Sequence, residues 1–478
     1  LLFSARLLAL ALFFVSLACI VHAAPPNIVL IVSDDQGYND LGHVSGEIFT
    51  PHLDRLAAEG VRLTDFYVSW PACTPSRGSI LTGRYPQRNG LYDMIRNDVA
   101  DFGKKISTAD YPYTPERILG MDTREVGIAE VLSDAGYRCG VFGKWDGGQL
   151  KRYLPLQRGF HDFYGFTNTG IDYYTHERYG TPSMYRNNTP TTEDKGNYAT
   201  DLFEREALRF IEANKARPFF LYVPFNAPHG SSNLDPAIRG TVQAPDEYRA
   251  MYPDLLAKAG LEPGKRYGKE AMVPNKAERV LGYKAATTCM DDSIGAILDA
   301  LDKNNLAKNT IVIFFSDNGG SGSADNRPLN GRKGQVLEGG IRVPCIIRWP
   351  GITQPGTVSD AFLTSLELFP TLCAATGTST PEGVVLDGYD MTPVLAGAPS
   401  PRTEMFWQRR AEKAARVGQW KWVKARRGSG LYNLADDIGE RHDLSNEQPE
   451  ALEMVKEKFA TWRATMDATE PRGPFRDY

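Results

Sequence analysis

The run Asn-Ile-Val-Leu-Ile-Val over 27–32 is apolar at nearly every position and rich in β-branched side chains, and it stops abruptly at Ser33-Asp34-Asp35-Gln36-Gly37. A short run without polar alternation predicts a strand buried on both faces, here one that delivers two carboxylates to the edge of a sheet. Thr50-Pro51 then caps a short helix that Gly60 ends, and 61–67 alternates like another strand. A proline-rich polar turn carrying Cys73 follows, with a helix able to start over 76–81. Beyond it the pattern predicts a helix at 124–135, a strand at 137–143, a helix at 200–213 and a strand at 218–225. A long amphipathic helix at 277–303 and strands at 310–315 and 342–348 complete the series.

Strands separated by helices predict an α/β fold with a large, mostly parallel sheet sandwiched by helices. Ligands of such sheets gather beyond the carboxyl ends of the strands. The Asp34-Asp35 pair and the Asp317-Asn318 pair both stand at that position. From about 376 the texture changes to a linker rich in Gly, Pro and Thr, then short strand patterns at 403–408, 419–425 and 430–434, then a terminal amphipathic helix over 449–466. These predict a small C-terminal antiparallel sheet packed with a helix, dividing the chain into a main domain at 24–375 and an α+β subdomain at 376–478. The glycine-rich 319–322 stretch lacks the spacing of a phosphate-binding loop and reads as a flexible turn.

Composition narrows the function classes without choosing one. The 478 residues hold 54 Lys and Arg against 58 Asp and Glu, a formal charge of -4 that argues for neither a nucleic-acid partner nor an anionic membrane surface. Residues 1–23 carry Arg6 as their one Lys, Arg, Asp or Glu before an apolar stretch, with small side chains near Ala23, and read as a secretory signal peptide. The expectation is a secreted or periplasmic protein without stable membrane insertion. A retained anchor is the alternative, opposed by the short run and by Pro25-Pro26; lipid attachment at Cys19 is another, poorly matched by Ser16-Leu17-Ala18. Removing the signal leaves Cys73, Cys139, Cys289, Cys345 and Cys373, an odd number that flags at least one as free, paired to another molecule or chemically modified. Cys139, Cys345 and Cys373 lie in apolar segments and read as buried thiols. The four cysteines other than Cys73 allow one disulfide or none.

Two adjacent carboxylates repel unless a cation or several donors compensate them. Asp34, Asp35, Asp317 and Asn318 together make a hard, all-oxygen set suited to Ca²⁺ or Mg²⁺, and Ca²⁺ tolerates an irregular shell drawn from two distant segments. Either pair alone also suits the capping of a following helix or turn. Cys73-Thr74-Pro75-Ser76-Arg77, followed by Leu81-Thr82-Gly83-Arg84, changes that balance. With these motifs and the acidic segments, nearly the whole mature chain resembles the formylglycine-dependent sulfatases of the alkaline-phosphatase-like superfamily.

The resemblance implies that a formylglycine-generating maturation enzyme oxidises Cys73 to formylglycine, whose hydrate is both a metal ligand and the nucleophile that attacks sulfur. It implies that Arg77 holds the modified side chain and supports the metal site. Lys144, His229 and Lys333 would bind sulfate oxygens, with His229 protonating the departing alcohol. Cations suit a sulfate ester because charge gathers on its bridging oxygen as the S–O bond breaks. Family members often carry histidine two positions after the lysine of the Gly-Lys-Trp segment, where this chain has Asp146. A carboxylate there can accept a proton but cannot act as a cation beside sulfate. Asp146 therefore enters as a site candidate of unsettled role, with His161 or His176 as possible substitutes.

The 158–185 stretch contains His161, Tyr164, Tyr173, Tyr174, His176, Arg178 and Tyr185, a mixture able to stack sugar faces and read anionic groups, or simply to pack a long loop. Asn326 and Arg327 are candidates for the pocket mouth. Export and resemblance together favour a sulfated polysaccharide or oligosaccharide as substrate. The rival readings are a phosphoester or phosphonate hydrolase on the same scaffold and a non-catalytic, calcium-containing glycan-binding protein.

Overall fold

A computed structural model describes residues 25–95, 119–235, 238–261, 275–426 and 428–473. The signal-peptide reading of 1–23, with Cys19, lies outside the described residues. At the centre is a ten-stranded sheet in which Thr310–Ser316, Asn27–Ser33, Phe219–Pro224, Arg138–Lys144 and Asp162–Phe166 run side by side in parallel. Asn27–Ser33 and Thr310–Ser316 are buried throughout, which is why their sequences lack polar alternation. Their side chains divide between two cores. Ile28, Leu30 and Val32 face one with Ile311, Ile313 and Phe315, while Val29 and Ile31 face the other with Val312 and Phe314.

Helices cover both faces. Cys73–Thr82, Ile128–Asp134 and Leu368–Thr376 contribute to the first core; Pro51–Glu59, Ala199–Asn214 and the 28-residue Lys276–Lys303 helix contribute to the second. The sheet is mixed at its edges. Cys345–Arg348 pairs antiparallel with both Thr310–Ser316 and Val61–Leu63, and Met184–Arg186 pairs antiparallel with Asp162–Phe166. The strand expected at 61–67 is broken into Val61–Leu63, in this sheet, and Phe66–Tyr67, which pairs with Leu363–Thr364. The helix expected at 124–135 spans only Ile128–Asp134, because Glu130 reaches back to the Gly127 N–H at 2.6 Å and fixes the start there.

The C-terminal part is a four-stranded antiparallel sheet, Glu404–Arg409, Glu412–Val417, Trp420–Lys424 and Gly430–Asn433, with the Pro449–Asp467 helix against it. Phe406, Trp407, Val423, Phe459 and Trp462 share a core with Val336, Leu337 and Ile341 of the main sheet's loops. A buried ion cluster ties the same boundary. Lys421 Nζ lies 2.7 Å from Glu338 and 2.8 Å from Glu440, and the Glu440 carboxylate also accepts the Glu338 backbone N–H at 2.7 Å. Among the described residues no helix is long and apolar enough to cross a membrane.

Candidate active site

Four adjacent parallel strands end level with one another: Ser33 stands opposite Ser316, and Val32 opposite Pro224. The ladder extends into the loops, with the Asp34 N–H donating to Ala227 O and the Asp317 N–H to Ser33 O, each at 3.0 Å. Asp34-Asp35, Asp317-Asn318, His229 and Lys144 are thereby delivered to one edge. Gly143 has a φ of +133° beside Lys144, and a Cβ there would collide with the Pro224 carbonyl, so the strand exit needs glycine.

Cys73 is the first residue of the Cys73–Thr82 helix, which starts earlier than the 76–81 reading and is buried on all sides. Its Sγ lies 3.5 Å from Asp34 Oδ1 and 3.2 Å from Lys333 Nζ. The helix terminus points partial positive charge toward the region where an anion would bind. Burial, reinforced by Asp34, pushes the Cys73 thiol up to about 12. As a plain thiol it is protonated and a poor nucleophile near neutrality.

Arg77, one turn on, does not reach back over Cys73 as its main contact. Its Nε and Nη2 pair with Asp317 Oδ2 at 2.9 and 2.7 Å, and Nη2 stands 3.6 Å from Asp34. It braces two carboxylates from below. Lys144 Nζ is 2.6 Å from Asp34 Oδ2, and Lys333 Nζ is 2.7 Å from Asp35 Oδ1. Burial alone would raise the Asp34 pKa, but Lys144, His229 and Arg77 outweigh it and hold the carboxyl far below the usual range. Asp317 goes the other way, pushed up to about 7 by burial and then by the negative charge of Asp34.

His229 turns Nε2 toward Asp35 Oδ2 at 3.9 Å, while Nδ1 contacts Gly230 O at 2.8 Å. Burial lowers its pKa to about 4, despite the opposing pull of Asp34. Asp146 is buried with a φ of 53°; its Oδ1 accepts the Thr74 hydroxyl at 2.8 Å and its Oδ2 lies 3.7 Å from Lys144 Nζ. Burial raises its pKa.

Ligand atoms of Asp34, Asp35, Cys73 and His229 lie within 4.8 Å of one another, a cluster able to hold a metal ion. Asn318 tests the fit of an oxygen-seeking cation. Its Nδ2 donates to Asp35 Oδ1 at 2.8 Å, whereas its buried Oδ1 has no hydrogen-bond partner. A carbonyl oxygen left unpaired beside three carboxylates is what a calcium ligand set supplies and what a helix cap would not leave.

The structure thus brings together Asp34, Asp35, Cys73, Arg77, Lys144, Asp146, His229, Asp317, Asn318 and Lys333. It does not bring the others into this cluster. His176 is buried with Nε2 2.9 Å from Asn197 O, Arg178 is buried with its guanidinium over the Tyr179 ring, and exposed Arg327 pairs with Asp325 and Glu47. His161 accepts the Cys139 N–H at the opposite end of its strand, so it is no substitute at position 146. Tyr164 and Tyr185 are buried packing residues on Asp162–Phe166 and Met184–Arg186, the packing alternative of the sequence reading. Asn326 bonds to the backbone of Gly320, holding that glycine-rich segment, whose Gly319 packs on Gly339, as a fixed turn.

Sequence reasoning missed two contributors, Ser321, which donates to Asp35 Oδ2 at 2.8 Å, and Thr74, which holds Asp146. Tyr173, a sugar-facing candidate in the sequence, is buried and donates its hydroxyl to His229 O at 2.8 Å. Ser321 follows the Asp317-Asn318 pair closely enough that its hydroxyl was a signal.

This geometry has relatives. A family model described as Sulfatase matches residues 26–378. The chain belongs to the formylglycine-dependent sulfatase family. This sulfatase is 32% identical over 419 residues to N-acetylgalactosamine-6-sulfatase of Mus musculus, covering 83% of this chain and 71% of that one. It is 31% identical over 501 residues to arylsulfatase A of Homo sapiens, covering 95% and 90%. Among solved structures, Ps i-CgsB aligns with a TM-score of 0.75 and 31% identity over 92% of each chain, and that protein has also been solved in complex with k-i-k-neocarrahexaose.

Proposed function

We propose that this sulfatase is a secreted or periplasmic enzyme that removes sulfate from a sulfated polysaccharide or oligosaccharide, using Cys73 after its oxidation to formylglycine by a dedicated maturation enzyme. The observation that carries this reading is Cys73 at a helix N-terminus, 3.5 Å from Asp34 Oδ1 and 3.2 Å from Lys333 Nζ, among residues of matching charge. The name of one relative, N-acetylgalactosamine-6-sulfatase, and the k-i-k-neocarrahexaose bound to Ps i-CgsB support a sugar sulfate.

The hydrated aldehyde would supply two hydroxyls on one carbon, one to attack sulfur through a covalent sulfo-enzyme intermediate and one to expel sulfate as the aldehyde re-forms. Asp34, Asp35, Asp317 and Asn318 would hold Ca²⁺, which when bound lowers the pKa of a neighbouring hydroxyl and offsets the charge of the sulfate. Lys144 and Lys333 hold sulfate oxygens against the helix terminus. Arg77 keeps Asp317 and Asp34 aimed at the site. His229, with Nδ1 donating to Gly230 O, presents Nε2 to the departing sugar oxygen and gives it a proton in the imidazolium form, which the negative charge of a bound sulfate favours against the burial that lowers its pKa. Asp146, held by Thr74, orients the hydroxyl of the modified side chain and does not bind sulfate.

The test is to confirm Cys73 oxidation by peptide mass, then to assay a sulfated-glycan panel and a phosphate ester in parallel. Sulfate release well above phosphate release is expected. Preferential phosphate hydrolysis, or glycan binding without turnover by oxidised protein, would overturn the reading.

A further inference from the structure

Beside the catalytic cluster lies a cavity of about 510 Å³. Its near wall is formed by Pro228, Gly230 and Ser321, and its far wall by the first turn of the Lys276–Lys303 helix, including Lys276 and Arg279. The near wall belongs to the reaction centre: Pro228 and Gly230 flank His229 in the chain, and Ser321 donates to Asp35 at 2.8 Å. A ligand in the cavity is therefore contiguous with a sulfate held at Cys73.

Among the described residues its lining carries two cations, three hydroxyl side chains and no carboxylate, in a chain where acidic residues outnumber Lys and Arg by 58 to 54. Lys276 and Arg279 are three residues apart, so they share a helix face. They lie in the first turn of that helix, where backbone amides add partial positive charge. Glu278, the acid of that turn, is largely buried and outside the lining; its backbone N–H donates to the Asn275 cap. The volume falls in the range of roughly 300–1,000 Å³ usual for small-ligand sites.

We infer that this cavity is a subsite for a second anionic substituent, a sulfate or carboxylate, on the glycan that carries the scissile sulfate. The inference rests on the sulfatase reading and adds to it a demand on the substrate. Both cations are exposed and outside the catalytic cluster, so replacing them leaves the chemistry in place.

The experiment compares the parent with Lys276→Ala, Arg279→Ala and the double variant on two substrates: a small aryl sulfate with one charge and an oligosaccharide carrying two sulfates. For the double variant, KM for the disulfated oligosaccharide should rise about tenfold with kcat unchanged, as expected when uniform binding is removed. KM for the aryl sulfate should stay as in the parent. Equal KM changes on both substrates, or none on the oligosaccharide, would overturn the subsite. Binding of the disulfated oligosaccharide to Cys73→Ser protein, with and without the two substitutions, reads the subsite apart from turnover. Loss of affinity on substitution supports it even where the parent releases no sulfate, an outcome that would sink the sulfatase reading alone; unchanged affinity overturns the subsite.

Discussion

Lys333 Nζ stands 3.2 Å from Cys73 Sγ across a sequence separation of 260 residues. Backbone and C-terminal contacts fix that approach. The Gly334 N–H donates to Pro71 O at 2.7 Å, and Arg409 of the small sheet donates to Gly334 O at 2.8 Å. The C-terminal sheet thus braces the loop that carries Lys333.

Replacing Cys73 by Ser should abolish multiple turnover without preventing folding, because the two side chains are close in volume and the buried helix end keeps its packing. The serine has one hydroxyl and no means of expelling sulfate by forming an aldehyde. Intact mass should show a stable sulfate adduct after incubation with substrate. Sustained sulfate release near the parent rate would refute the formylglycine mechanism.

Asp317→Ala should lower stability by about 3–5 kcal/mol, since it leaves the buried Arg77 guanidinium without its main partner. It should also remove the thermal stabilisation that Ca²⁺ gives the parent, because binding to the folded state is part of its stability. Calorimetry with Ca²⁺ and with chelator checks both effects. A Ca²⁺-induced shift as large as the parent's would exclude Asp317 from the ligand set.

Asp146→Ala should reduce kcat less than Lys144→Ala or Lys333→Ala, given that its carboxylate is held by Thr74 and carries the wrong charge for sulfate. Steady-state kinetics on folded variants decides this. A larger loss at 146 would make Asp146 an essential proton acceptor.

Glu440 provides a pH prediction away from the catalytic cluster. Burial raises its carboxyl to about 7, against the pull of Lys421. A folded pKa above the unfolded one means that its contribution is fully present below the unfolded value and is lost as pH rises through about 7. Glu440→Gln should flatten the decline in stability between about pH 4.5 and pH 7, by on the order of 3 kcal/mol. Denaturant midpoints across that range measure it, and an unchanged slope would show that Glu440 titrates normally.

The site's backbone was legible because buried parallel strands write uninterrupted apolar runs, and the abrupt change to Asp34-Asp35 or Asp317-Asn318 marks where each leaves the sheet. The edges were harder. Glu412–Val417 reads Glu-Lys-Ala-Ala-Arg-Val, whose small and charged residues carry little strand signal, yet pairing on both sides holds it in the four-stranded sheet. Tyr164 and Tyr173 looked available for sugar because aromatic composition is the same in a binding loop and in a core. Arg77's true partner was hidden because a helical spacing shows what lies on one face, while Asp317 arrives from 240 residues away.

The strand that supplies Asp34 and Asp35 is the first to leave the ribosome among those described, yet both its sheet neighbours, Phe219–Pro224 and Thr310–Ser316, are made much later. Until Phe219–Pro224 is made both of its edges stay bare, and until Thr310–Ser316 is made one of them does. Cys73 is 0% exposed once folding is complete. Any enzyme or reagent that is to act on the Cys73 thiol must therefore reach it before folding is complete, while those later strands are still missing.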